Sequence, residues 1–149
     1  NLPEGENDER LYGHQIIVNE HNEVLGFNPR LLIGATRLTA HALLDLIRTL
    51  GGISIASHVD RQSFSVLSQL GFIPGDAGFD ALEFSSRLKR NEAEAIFGHL
   101  KAFPWVSSSD AHYIADVGER TVTFVMKEPT LEEIRLALSN ADGRTTAWQ

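Results

Sequence analysis

The chain has 149 residues, enough for one domain with a buried core, and its 42% hydrophobic and 22% charged side chains are an ordinary globular balance. No apolar run approaches the roughly 20 residues of a membrane helix, and no secretory signal is visible. Without cysteine there are neither disulfides nor thiolate metal sites, so any metal falls to His, Asp and Glu. The formal charge of −7 argues against a nucleic-acid partner gripped by a general basic surface, while leaving room for a small anionic substrate at a site that carries a divalent cation. These features suit a cytoplasmic protein with no membrane partner.

The chain opens NLPEGENDER, polar and without a methionine, and the one methionine is Met126, so it reads as a piece of something longer. From His14, "HQIIVNEHNEVLGF" sets Ile16-Ile17-Val18 and Val24-Leu25 around a polar centre, a β-hairpin signal. Gly34 and Thr36 break the next segment, "PRLLIGATRLTA". Thr39 is placed to cap a helix with Leu43, Leu44, Ile47 and Leu50 on one face, stopped by Gly51-Gly52. Residues 53–56 make a short apolar run of buried-strand length. Ser63 is placed to cap a short helix carrying Phe64, Leu67 and Leu70, ended by Gly71, and "FDALEF" at 79–84 is the next strand. Asn91 with Glu94 has the spacing of a capping box ahead of Ala95, Ile96 and Leu100. Residues 105–107 and 121–126 read as strands. Thr130 with Glu133 opens a last helix with Leu131, Ile134 and Leu138 on one face. The tail "ADGRTTAWQ" has little periodicity. This alternation predicts an α/β domain with a mostly parallel sheet, divided into a loop and hairpin at 1–36, βα units at 37–140 and a tail at 141–149.

Two strand ends carry the chemistry. "ISIASHVDR" places His58, Asp60 and Arg61 after an apolar run, and "WVSSSDAHYIADVG" places Asp110 and His112 after another. In parallel α/β folds functional side chains gather beyond the carboxyl ends of strands. Residues two apart in an extended segment point the same way, so Asp110 and His112 are expected to reach into one cavity. Carboxylate and imidazole suit zinc, manganese or iron. Arg61 is either the partner of a phosphate oxygen or of the neighbouring Asp60. Glu83 ends "DALE" on a strand within reach of the site, with a structural hydrogen bond as its expected role. His14, His21, His41 and His99 fall in the hairpin or in predicted helices and are read as outside the site. Ser57 and Ser107–Ser109 lack a G-x-S-x-G elbow and a placed base, and no glycine-rich phosphate loop is present.

The stretches "GGISIASHVDRQSFSVLSQLGFIP", "FDALEF" and "FPWVSSSDAHYIADVG" resemble the PHP (polymerase and histidinol phosphatase) superfamily, most of all its bacterial stand-alone metal-dependent phosphoesterases. The resemblance runs from about Leu2 to the last helix. It implies the C-terminal part of a distorted β/α barrel, with two or three divalent metal ions at the carboxyl ends of the strands and a metal-bridging hydroxide that attacks a phosphate ester. It implies His58, Asp110 and His112 as metal ligands and Arg61 as the contact to substrate phosphate. The family's early motifs, an H-x-H, a following Asp-His and a Glu, are absent, and His14, Glu20 and His21 do not fit their spacing. The implied function is hydrolysis of a small phosphorylated metabolite or nucleotide by the parent protein, with this chain incomplete as a catalyst. The alternative is a non-catalytic module that binds phosphate or a partner. A partial barrel exposes sheet edges, so the chain is expected to close differently, to dimerise or to stay associated with its missing part.

Overall fold

A computed structural model describes Leu2 and residues 4–148. The chain divides into two compact units, Asn1–Leu43 and Leu44–Gln149.

The first unit holds a single helical turn, α1 (Glu9–Tyr12), capped by Asp8, whose side chain accepts from the Arg10 amide. The expected hairpin follows: β1 (Ile16–Val18) pairs antiparallel with β2 (Val24–Phe27), Ile16 opposite Phe27. Asn19 builds the reversal, its Oδ1 accepting from the amides of His21 and Glu23 at 3.0 and 2.9 Å. Ile16, Ile17, Val18, Val24, Leu25 and Phe27 are all exposed, so neither face of this hairpin is buried.

Helix α2 (Ala40–Thr49) begins where the capping chemistry predicts, with Thr39 Oγ1 accepting from the Ala42 amide at 3.2 Å. It stops before Gly51, whose φ of +77° suits a residue without a Cβ. Of the apolar face read from the sequence, Leu44 is the buried member, whereas Leu50 is exposed.

The second unit is built on a parallel sheet of β3 (Ile55–Ala56), β4 (Ala81–Phe84) and β5 (Trp105–Ser107), with β4 in the centre. Ala56 lies opposite Leu82, and Phe84 opposite Ser107. Ala81, Leu82 and Phe84 are wholly buried, as expected of a central parallel strand covered on both faces. The core gathers Phe84, Leu82, Val59, Trp105 and Trp148, with the Phe84 ring 4.7 Å from Trp105, 5.4 Å from Phe97 and 6.1 Å from Trp148 between centroids.

Helix α3 (Val66–Leu70) is capped by Ser65, and not by Ser63 as the sequence suggested. Ser65 Oγ accepts from the Ser68 amide and Ser68 Oγ accepts from the Ser65 amide, a reciprocal box that Ser63 is too far away to make. Phe64, expected on the apolar face, is left outside at φ +60° and is 87% exposed. Helix α4 (Arg90–Phe97) also starts earlier than Asn91–Glu94 predicts, because Glu92 closes the first turn by accepting from the Lys89 amide at 2.9 Å. Helix α5 (Leu131–Leu138) is capped by Thr130 Oγ1 as expected. The Glu133 carboxylate does not fold back on Thr130, however; it takes the Lys127 amide and Arg144 instead.

The tail departs most from its reading. Residues 145–147 form β7 (Thr145–Ala147), antiparallel to β6 (Thr123–Val125), with Thr123 opposite Ala147. Trp148 is buried, and its Nε1 donates to the Trp105 carbonyl at 3.1 Å. A three-residue strand has no room to show a period, so pairing and one buried indole decide the matter.

Candidate active site

The carboxyl ends of the three parallel strands converge on one polar cluster, all of it within the second unit. Beyond β3 the chain turns sharply, His58 adopting φ +28°, and the turn is held by the Val59 amide donating to the Glu83 carbonyl at 2.8 Å. The Arg61 amide closes it by donating to the His58 carbonyl at 3.0 Å. Asp60 then reaches the end of β4, accepting from the Ser85 amide at 2.8 Å and from the Ser85 hydroxyl. Beyond β5, Ser108 donates its hydroxyl to Glu83 Oε1. Asp110, itself at φ +49°, lies with Oδ2 2.8 Å from Arg61 Nη2.

That ion pair settles the local partners. Arg61 joins Asp110 rather than the adjacent Asp60, which is engaged with Ser85. The approach is close, yet Asp110 Oδ2 makes no hydrogen bond with correct angles, and neither does the buried Nδ1 of His58. Buried polar atoms in folded proteins are nearly always partnered, so the orphaned His58 Nδ1 marks a place that expects something else.

The argument from extended geometry for Asp110 and His112 does not hold here. β5 ends at Ser107, and the positive φ of Asp110 breaks the alternation that would aim both side chains alike. His112 is exposed, and its Nδ1 lies 2.8 Å from the Asp110 carbonyl oxygen. A carbonyl can only accept, so Nδ1 carries the proton and Nε2 keeps its lone pair, the arrangement found in metal-ligating histidines.

Glu83 is the residue whose weight the sequence understated. Burial is the main cause that raises its pKa; the negative charges of Asp110 and Asp60 add to it, while the His58 amide and the charge of His58 pull it back. Its place in the middle of the central strand is the signal, and it became legible only once β4 was known to lie between the two motif-bearing strands.

Imidazole and carboxylate suit a zinc, manganese or iron ion, and the unpartnered Nδ1 of His58 and the Asp110 carboxylate fit that chemistry. Among the described residues, however, no three His, Asp or Glu side chains gather as metal ligands. The residues present therefore fit one part of a metal site rather than a whole one.

A family model described as PHP-associated matches residues 89–142. A comparison with curated proteins gives no match. Among solved structures, an endonuclease Q complex with a 27-mer duplex substrate with an abasic lesion at the active site matches with a TM-score of 0.63 and 26% identity over 75% of this chain. The lesion-specific endonuclease PfuEndoQ from Pyrococcus furiosus matches with a TM-score of 0.63 and 28% identity over 74% of this chain. This chain spans only 29% of the length of either endonuclease. The duplex in the first of these overturns the expectation that a net charge of −7 argues against nucleic acid. Net charge averages over the whole surface, whereas a polyanion meets only the local field. No helix among the described residues is long and apolar enough to cross a membrane. The chain thus carries a segment similar to the PHP-associated family at residues 89–142 and a mixed α/β fold similar to that of the two endonucleases.

Proposed function

We propose that this chain supplies part of the active site of a metal-dependent phosphodiesterase that cuts nucleic acid. The observation that carries the reading is the pair of buried ligand atoms at the carboxyl ends of β3 and β5 with Glu83 between them: His58 Nδ1, which has no hydrogen-bond partner, and Asp110 Oδ2, which meets only Arg61. His58, Asp110 and His112 Nε2 would hold the cation. A divalent ion bound there supplies electrostatic stabilisation of the phosphate oxygens. The chain's own residues do the rest. Arg61, released from Asp110 when the carboxylate turns to a cation, presents its fork to a phosphate oxygen. Ser108 holds Glu83 in place, and the buried Glu83 carboxyl keeps a proton to higher pH than an exposed one would.

Manganese and zinc titration of the chain, beside His58→Ala and Asp110→Ala, tests the ligand set; the reading expects at least a tenfold loss of affinity in each variant. Equal binding by all three proteins would sink it. Incubation with a duplex oligonucleotide containing an abasic site, and separately with a small phosphomonoester, then tells a nuclease from a metabolite phosphatase. A second reading, a binding module without catalysis, is favoured because no three such ligands gather among the described residues. It predicts DNA retention with no cleavage under any metal.

A further inference from the structure

One face of the second unit runs against the acidic character of the chain. A groove of about 560 Å³ is lined by Lys89, Arg90, Asn91, Glu94 and Arg120. It continues through Arg90 and Glu94 into a second groove of about 410 Å³ that adds Lys101, Phe103 and Trp105. Four cations face a single carboxylate, Glu94, which is already paired with Arg90 at 2.8 Å. Two of the chain's three lysines stand here, in a protein of formal charge −7. A neighbouring cavity beyond Arg120 contains Glu119, so the positive strip ends on that side.

The arginines are held ready. The Arg90 guanidinium lies 5.1 Å from the ring centroid of Trp105 and 5.2 Å from that of Trp148. Arg120 donates through Nη2 to the Ser86 carbonyl at 2.7 Å, stands 6.0 Å over Trp148, and leaves its buried Nε without a partner. Side chains fixed in this way lose little further freedom when an anion arrives. Along the chain, the groove residues follow closely on the candidate active site. Ser86, which anchors Arg120, follows Ser85, which Asp60 clamps, and Lys89 and Arg90 stand three and four residues further on, where the loop out of β4 enters α4.

We infer that this groove is the track along which the phosphodiester backbone of a nucleic-acid strand is led to the strand-end cluster, with Lys89, Arg90, Lys101 and Arg120 each meeting a phosphate. The inference rests on the nucleic-acid reading above and gives it a surface. Contacts of this kind carry no base sequence, so binding should be tolerant of sequence and strongly dependent on salt.

The test is fluorescence anisotropy with a labelled duplex in EDTA, so that no cleavage occurs, at several NaCl concentrations. Four phosphate contacts give a slope of log K on log salt of about −3.6, and each lysine removed takes away about 0.9. Lys89→Ala with Lys101→Ala should therefore flatten the slope by about 2 and weaken binding about thirtyfold at 0.15 M salt. Lys89→Arg with Lys101→Arg should restore both. Both lysines are exposed, and circular dichroism confirms that the variants fold. An unchanged slope in the alanine pair, or no binding by the parent chain, overturns the track. Metal-dependent cleavage that survives with an unchanged slope would leave the nuclease reading standing without it; lysine-dependent binding with no cleavage under any metal would do the reverse.

Discussion

Phe84→Ala is the substitution that most directly questions the fold beneath the site. The Phe84 side chain is wholly buried at the end of the central strand, between Glu83 and Ser85, and its ring touches Phe97, Trp105 and Trp148. Removing a fully buried phenyl group forfeits about 2–3 kcal/mol of burial. The close tilted contacts to Trp105 and Phe97 add about 0.5–1.5 kcal/mol each. The sum, about 4 kcal/mol, lies within the range usual for Phe→Ala in a core and is a large share of a domain's total stability of about 5–15 kcal/mol. With a urea m-value of about 2 kcal/mol per M, the unfolding midpoint should fall by about 2 M. Both tryptophans of the chain lie against this ring, so intrinsic fluorescence reports from the place perturbed. A midpoint shift below about 0.5 M would refute the reasoning, because a ring worth so little cannot be the centre of the core.

Other perturbations address single features. Glu133 has its pKa lowered to about 2, first by its hydrogen bonds with Arg144 and then by the Lys127 amide. A depressed carboxylate stabilises the fold above its unfolded value of 4.5 and loses that contribution as pH falls toward 2. The deficit of Glu133→Gln, read from urea midpoints, should therefore be full at pH 7 and shrink between pH 4.5 and 2; a deficit that does not change with pH refutes the assignment. Gly71 ends α3 at φ +77°, and Gly71→Ala should cost about 1 kcal/mol in thermal or urea unfolding. Thr130→Ala should cost about 1 kcal/mol through the lost cap of α5, and Thr130→Ser should restore most of it. Arg61→Ala should weaken binding of inorganic phosphate while leaving manganese affinity within about threefold, which isothermal titration separates.

What the sequence disclosed depended on how local the cause was. β5 at 105–107, the Thr39 and Thr130 caps and the hairpin after His14 each rest on chemistry within four or five residues, and each is found. The caps of α3 and α4 moved by two residues because several polar candidates stood in a row. Ser65 and Ser68 can bond each other's amides, and Glu92 reaches Lys89, which no pattern of single residue types distinguishes from Ser63 or from Asn91 with Glu94. Strand β7 and the burial of Trp148 depend on partners twenty or more residues away. So does the pairing of Arg61 with Asp110, 49 positions apart, where spacing alone offers a phosphate oxygen or the neighbouring Asp60. The common direction expected of Asp110 and His112 fails for another reason. It supposes an extended segment, and the positive φ of Asp110 cannot be seen in a D-x-H pair.

The ring stack around Phe84 also dictates an order of assembly. Its members come from β4, β5, α4 and the stretch after β7, and the bond from Trp148 to the Trp105 carbonyl spans 43 positions. Closing a loop of that length costs about 3 kcal/mol of chain entropy, nearly as much as the burial of one indole returns. The indole therefore gains little by docking until β4 and β5 have already paired to receive it. Growth of the nucleus belongs to the parallel strands, and the last wall of the core is set in place late, which puts Trp148 among the residues whose loss hastens unfolding far more than it slows folding.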